Sequence, residues 1–382
     1  MGVSPAPMPK PEPGREPRKL TLPAAYTSLD AIPKNYRIKL KELGYISVEQ
    51  VIAVVRQNPA GFKRYFQTDV SKFLAAVPHK EGLAAKLPAK VALAVYHLGA
   101  PLKEPCLSRM PEHDLPAAAL MPAKAAPPPS AGLAGTPPSP PLQPPTGADV
   151  DLSPLMPAVR NQGDRGTCVA HATCALLEYY YGHNGPMPNP QDFSEQFQYW
   201  NCKQHDGIPT EEGTFLSVSV PLLFTDGCCK EPTWTYVPTV IPGNESQDPP
   251  PPAALQEAPR YKISKFNQLN ARAVADIKRE LAQGRPVAIT VPVFDYCWFN
   301  GETRVTGDIT LPFPGDTTNE GHAVCLVGYE DLLGEENLGG GRFLVRNSWN
   351  ALWGVNNVLE AGYGTIPYSY ITTYGDEAYT VE

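Results

Sequence analysis

The sequence predicts an α+β fold in two lobes, preceded by a small all-α module. Three observations carry that expectation. Apolar residues recur at helical spacing between about Ala25 and Gly99, a Pro-rich stretch then breaks all periodicity, and from about residue 150 helical segments come first and β-branched strands follow. With 382 residues, 42% of them hydrophobic, the chain can bury a sizeable core and still carry an appendage. The expected division is a disordered tail over 1–24, a basic helical module over 25–103, a Pro-rich linker over 104–149 and one globular domain over 150–382.

In the front module, KNYRIKLKELG ends on Gly44 as a helix C-terminal glycine should, and Ser47 followed by Gln50 is a capping-box start for SVEQVIAVVRQ. Asn58-Pro59 is expected to stop that helix, Thr68 to cap a third over DVSKFLAAV, and 81–99 to supply a fourth, interrupted or begun again at Pro88. Thirteen of the 45 prolines fall between Pro105 and Pro145, a composition that favours extended polyproline II over packing. The globular part opens with helices at Thr167–Tyr181, from Ser194, and over FLSVSVPLLFTDG to Gly227, with a second Pro-rich insertion over 241–259. Strands are expected at YKISKF, RPVAITVPVF, HAVCLVGYED and RFLVRNSW, and VADIKRELAQG forms a helix before the second of them.

Charge is unevenly placed. Pro17–Lys103 holds 14 Lys and Arg against 5 Asp and Glu, a net of +9, whereas Val150–Glu382 holds 14 against 28, a net of −14. The halves can attract each other. The basic front reads as a solvated helical face open to a protein partner rather than to nucleic acid. There is no secretory signal and nowhere do eighteen apolar residues run together, so the expected location is cytoplasmic, with no membrane segment. Eight cysteines in a chain of this size are no disulfide framework, and reduced thiols are the default.

The chemistry starts at GDRGTCVAHATCALLEYYY, which places Cys168 on the first turn of a helix. A nucleophilic cysteine must be a thiolate near neutral pH, and a helix N-terminus or a nearby imidazolium provides for that. Cys168 has that setting; Cys174, mid-helix, does not. A zinc site built on Cys168 and His171 fails on ligand count, so neither metal nor cofactor is expected. His171 itself reads as a packed core histidine. More suitable partners lie far downstream: His322 opens the apolar strand of GHAVCLVGYED, and Asn347 closes the strand of RFLVRNSWNALWG, followed by Trp349.

Cys, then His, then Asn in that order, with Gln162 six residues before the cysteine, resembles the papain-like cysteine peptidases. The resemblance lies in RNQGDRGTCVAHA, HAVCLVGYE and NSWNALWG and covers roughly Val150 to the C-terminus. It implies a papain-like two-lobed fold, with a cleft between a helical lobe and a β-barrel-like lobe, and a peptide or protein substrate. Cys168 would attack the scissile carbonyl, His322 would pair with it, Asn347 would orient the imidazole under the cover of Trp349, and Gln162 would complete an oxyanion hole. Gly213 and Thr214 fall where the family has a glycine-rich wall that pairs with an extended peptide, and Ala323 would be a small pocket residue. The chain departs from the pattern at Arg165, where secreted members carry a disulfide cysteine, at Val169, at Asn350, and in the absence of the usual propeptide signature from 25–99. An acyl-transfer enzyme and a catalytically silent peptide-binding module stay open as alternatives, as does the use of the front module for targeting or restraint.

Overall fold

The computed structural model describes residues 26–77, 108–109, 149–184, 191–240, 246, 249–318, 320–332, 339–357 and 359–382. Four short helices form the front module: α1 (Lys34–Glu42), α2 (Val48–Gln57), α3 (Pro59–Phe66) and α4 (Val70–Ala76). Ser47 caps α2, its hydroxyl accepting from the Gln50 N–H, while the Gln50 side chain accepts from the Ile46 N–H. Two expectations change here. Asn58-Pro59 ends α2 but starts α3 at once: Asn58 accepts from the Gly61 N–H, and Pro59 takes the first helical position, where a missing N–H costs nothing. The α4 cap is Asp69, which accepts from the Lys72 N–H, because the Thr68 hydroxyl is spent on the Phe66 carbonyl and on Tyr36. The tail over 1–24, the expected helix within 81–99 and all of the linker except Ser108, Arg109 and Asp149 lie outside the described residues.

The globular part begins with helices α5 (Cys168–Tyr179), α6 (Glu195–His205) and α7 (Leu216–Thr225). Every residue of α5 is buried, because α6 and α7 cover one side and the sheet covers the other. Ser194 caps α6 by accepting from the Phe197 N–H. Part of the Pro-rich insertion is ordered into α8 (Pro252–Glu257), started by its own prolines. Three more helices, α9 (Val274–Ala282), α10 (Asp295–Trp298) and α11 (Gly301–Thr306), come next in the chain, and α12 (Tyr368–Tyr374) lies nearer its end.

The sheet contains β1 (Ser108–Arg109), β2 (Val150–Asp151), β3 (Phe266–Leu269), β4 (Val287–Pro292), β5 (Glu320–Asp331), β6 (Gly341–Arg346), β7 (Tyr363–Pro367) and β8 (Ala378–Val381). The order is β3-β8-β4-β5-β6-β7 with antiparallel pairs, and β1 and β2 also lie along β5. Both faces of β4 are buried, as its unbroken apolar run requires. YKISKF contributes only its last residue to a strand. Ile263, Ser264 and Lys265 spend their N–H groups on the carbonyls of Leu223 and Glu382 instead. The α+β expectation holds: helices pack against an antiparallel sheet, with a helical region in front.

A charged cluster ties the helices to the sheet. Glu178 on α5 and Glu195 at the start of α6 are buried near Arg160 and near Arg346 of β6, which also donates to the carbonyls of Pro157 and Ala158. Burial pushes the Glu178 carboxyl up to about 7, with Arg346 drawing it back, and burial with the neighbouring Glu178 charge pushes Glu195 up as well. A carboxyl raised in the folded state binds its proton more tightly there than in the unfolded chain. Stability is therefore lost as pH rises from about 4.5 to about 7. Glu178→Gln keeps an acceptor for the Phe193 N–H but removes this proton linkage. Its stability relative to the unaltered chain should improve between about pH 5 and about pH 8, by up to roughly 3 kcal/mol; parallel denaturation curves across that range would dismiss the assignment.

Candidate active site

The turn before α5 owes its shape to two glycines. Gly163 has φ of +62°, and a Cβ there would lie 2.4 Å from the Pro238 carbonyl oxygen; a Cβ on Gly166 would lie 2.7 Å from the Gly213 nitrogen. The chain therefore passes close to Gly213 immediately before Cys168, the first residue of α5. Thr167 does not cap the helix with its side chain, because its hydroxyl pairs with the Tyr236 hydroxyl at 2.6 Å. The same Tyr236 hydroxyl donates to the Gln162 carbonyl at 2.7 Å, so one phenol braces the segment on both sides of Arg165.

His171 is a packed core residue, as its sequence setting suggests. Its Nδ1 sits 2.9 Å from the Thr167 carbonyl, Tyr236 meets its ring edge-on, and burial pushes its imidazole down to about 3. It is therefore neutral at physiological pH.

His322, Asn347 and Gln162 are joined by one run of hydrogen bonds. The Ser348 N–H donates to Asn347 Oδ1 at 2.8 Å, which identifies that atom as the amide oxygen; His322 Nε2, also 2.8 Å away, must then be the donor to it. In a neutral imidazole this leaves Nδ1 as the lone-pair nitrogen, and that atom is buried with no hydrogen-bond partner among the described residues. The run continues through the Ser348 hydroxyl, which donates to Gln162 Oε1 at 2.6 Å, and through the Gln162 N–H, which donates to the Ser348 carbonyl at 2.9 Å. With Oε1 committed, Gln162 presents Nε2; one hydrogen goes to the Arg165 carbonyl at 3.0 Å. Trp349 stacks on the imidazole with ring centroids 4.5 Å apart and planes at 25°.

Four contributors escaped the sequence reading. Trp298 meets His322 edge-on at 5.8 Å and Trp349 at 5.9 Å, and Phe299 stacks on Trp349 at 5.0 Å. Ser348 and Tyr236 are the other two, and only the NSW triplet drew any attention to Ser348. The Gly213 N–H donates to the Tyr199 hydroxyl at 3.2 Å and its carbonyl accepts from Lys203 Nζ at 2.9 Å, so both backbone groups have partners within the chain. Thr214 is buried beside it. Ala323 follows His322 on β5 and faces Thr290 across the β4–β5 pair.

Among the described residues no group of His, Cys, Asp or Glu could hold a metal ion, and no helix is long and apolar enough to cross a membrane. The seven described cysteines are buried, and none is joined to another of them by a disulfide. Burial pushes the thiols of Cys174, Cys202, Cys229, Cys297 and Cys325 up, Cys202 and Cys325 to about 12, so these five stay protonated. No disulfide braces the turn. Arg165 does so instead, with its guanidinium donating to Gln196 Oε1 at 2.7 Å and to the Val237 carbonyl at 2.9 Å, 5.2 Å from the ring centres of both Tyr199 and Tyr236.

Known proteins resemble this chain in sequence and in fold. The family described as papain family cysteine protease matches residues 145–372. An uncharacterized peptidase C1-like protein of Acanthamoeba polyphaga mimivirus is 27% identical over 219 residues, 55% of this chain and 64% of its own length; the chain thus spans just under two thirds of that curated relative. Among solved structures, xylellain, a cysteine protease from Xylella fastidiosa, aligns with a TM-score of 0.54 at 27% identity, covering 63% of this chain and 87% of that one.

Arg165→Ala should leave the Val237 carbonyl without this donor and Gln196 Oε1 with only the long bond from the Val237 N–H at 3.4 Å, and vacate the space between two tyrosines. The expected loss is about 3 kcal/mol, read from the denaturation midpoint; an unchanged midpoint would mean that the guanidinium braces nothing.

Proposed function

We propose, from the premise that the chain belongs to the papain family of cysteine proteases, that it hydrolyses peptide bonds through Cys168, His322, Asn347 and Gln162. Family membership places it among the cysteine-type peptidases, a class of hydrolases. The observation that carries the assignment of roles is the tautomer: Nε2–H of His322 is held by Asn347, so Nδ1 is the nitrogen available to exchange a proton with a thiol.

The Cys168 thiol passes its proton to Nδ1, and the thiolate at the start of α5 attacks the scissile carbonyl carbon, forming a C–S bond. The carbonyl oxygen becomes an oxyanion, accepting from the second Nε2 hydrogen of Gln162 and from the Cys168 backbone N–H. Nδ1 returns its proton to the leaving amine as the C–N bond breaks. Water then attacks the thioester with His322 as base, the C–S bond breaks, and the acid leaves with the thiol restored. Asn347 holds the ring through both steps, and Trp349 keeps water from that bond. Peptides or proteins are the substrate class. With the Gly213 backbone engaged, an extended substrate would pair with the backbone of Thr214 and set a side chain against Ala323.

Restraint by the N-terminal region is favoured over targeting by the register of β1. Ser108 lies opposite Gly321, the residue before His322, and Arg109 opposite Glu320, so part of the linker takes a strand position beside the catalytic imidazole. An extended substrate would compete for such an edge.

Cys168→Ala should abolish both peptide hydrolysis and labelling by epoxysuccinyl thiol traps, Cys174→Ala should spare both, and His322→Ala should cost two to about four decades of turnover. Persistent labelling in the Cys168 variant would sink the assignment. Deletion of residues 104–112 should raise kcat/KM on a small peptide severalfold; rates equal to those of the intact chain would leave the linker a passive connector.

A further inference from the structure

The segment from Asp295 to Asp316 has two occupied sides. Its inner side carries Trp298 and Phe299, which press on His322 and Trp349, and Trp298 is fixed in turn by donating from Nε1 to the Tyr370 hydroxyl at 3.1 Å. Its outer side is covered by the helical module. Phe313 is buried in a ring of module aromatics, with centroids at 6.3 Å to Tyr45, 5.9 Å to Phe62, 6.4 Å to Tyr65 and 6.2 Å to Phe66. The Leu311 N–H donates to the Leu43 carbonyl at 2.9 Å. The Tyr26 hydroxyl donates to Glu302 at 2.7 Å, out of contact with water.

Asp316 is the junction between the two sides. Its carboxylate accepts from Asn58 Nδ2 at 2.8 Å, from the Arg64 guanidinium and from the Tyr296 hydroxyl. Tyr296 also accepts from the Phe313 N–H, stacks on the Phe313 ring at 6.0 Å, and stands two residues before Trp298. A path thus runs from α2–α3 of the module through Asp316 to Tyr296, along the backbone of α10 to Trp298, and from Trp298 to His322.

We infer that the module of residues 26–77 is a permanent part of the working enzyme, a positioning element for His322 that acts through the 295–316 segment rather than a piece discarded to release activity. The inference rests on the reading of His322 as the acid–base group. Without the module, Phe313 and Leu311 face water, Asp316 keeps only Tyr296, and Glu302 loses the tyrosine that pairs with it. The outer support of α10 is then lost, and the Trp298–Tyr370 hydrogen bond is left to hold its inner side. Restraint and support divide along the chain: the linker strand at Gly321 stands in the way of substrate, while the helices behind 295–316 hold the site together.

Two experiments on the full chain test this. In the first, a recognition sequence for a site-specific protease is inserted in the linker between residues 112 and 140 and cut. The module is expected to co-elute with the catalytic part on gel filtration, with kcat undiminished; dissociation of the module with kcat retained would overturn the inference. In the second, Asn58→Ala combined with Arg64→Ala is assayed with active sites counted by an irreversible thiol titrant, so that any unfolded fraction is excluded. The expected result is a kcat lowered about fivefold with KM within about twofold, and substantial recovery when Arg64→Lys replaces Arg64→Ala, since a weak but placed cation restores part of the Asp316 contact. An unchanged kcat would overturn the inference. Failure of the underlying reading is separately visible as hydrolysis that survives Cys168→Ala.

Discussion

The amide of Asn347 is the point on which the site depends. One oxygen accepts from the backbone N–H of Ser348 and from the imidazole of His322, and that double claim fixes which nitrogen of the ring is protonated. An amide free to rotate would offer its NH2 as readily as its oxygen, and the imidazole would lose its defined tautomer. The burial of the pair makes the arrangement strict: an unsatisfied polar atom in such a place costs on the order of 1–3 kcal/mol. Ser348 then carries the constraint across to Gln162 with both its hydroxyl and its carbonyl. Residues from the end of β6 and from the turn before α5 are thereby held in one frame.

That frame is maintained without covalent cross-links among the described residues. Its braces are buried polar contacts: Arg165 between two tyrosines, Tyr236 across Gln162 and Thr167, and the Glu178–Glu195 cluster facing Arg160 and Arg346. Such contacts suit a chain with reduced thiols, since none needs an oxidising compartment. They also carry a cost that a disulfide does not, because a buried carboxyl responds to pH.

The opposite net charges of the two halves suggest an electrostatic association, and the halves do associate, but by other means. The interface is built on Phe313 among four module aromatics, with Asp316 and Glu302 as its polar anchors. The Arg64–Asp316 ion pair is half exposed on the arginine side, where solvent and salt weaken it. Bulk charge acts over distance; the close fit comes from apolar area and from hydrogen bonds that only touching surfaces can make.

By itself the sequence determined those features that depend on neighbours in the chain or on residue type in order. Ser47 and Ser194 cap their helices, RPVAITVPVF holds a strand, Cys168 starts a helix behind two glycines, and the Cys, His, Asn and Gln types appear in a sequence of motifs that suits one chemistry. Local backbone rules and side-chain chemistry are legible without knowing what lies opposite. The Thr68 cap and the YKISKF strand were misread for the complementary reason. A hydroxyl taken by Tyr36 and Phe66, and N–H groups taken by Leu223 and the C-terminal Glu382, are engaged by partners that sequence spacing does not reveal. Only the tertiary structure decided that the Gly213 backbone is occupied by Tyr199 and Lys203, that Trp298 stands against His322, and that the basic module covers the segment carrying Trp298. Each of these is a contact between positions far apart along the chain, and its existence depends on the path of everything folded between them.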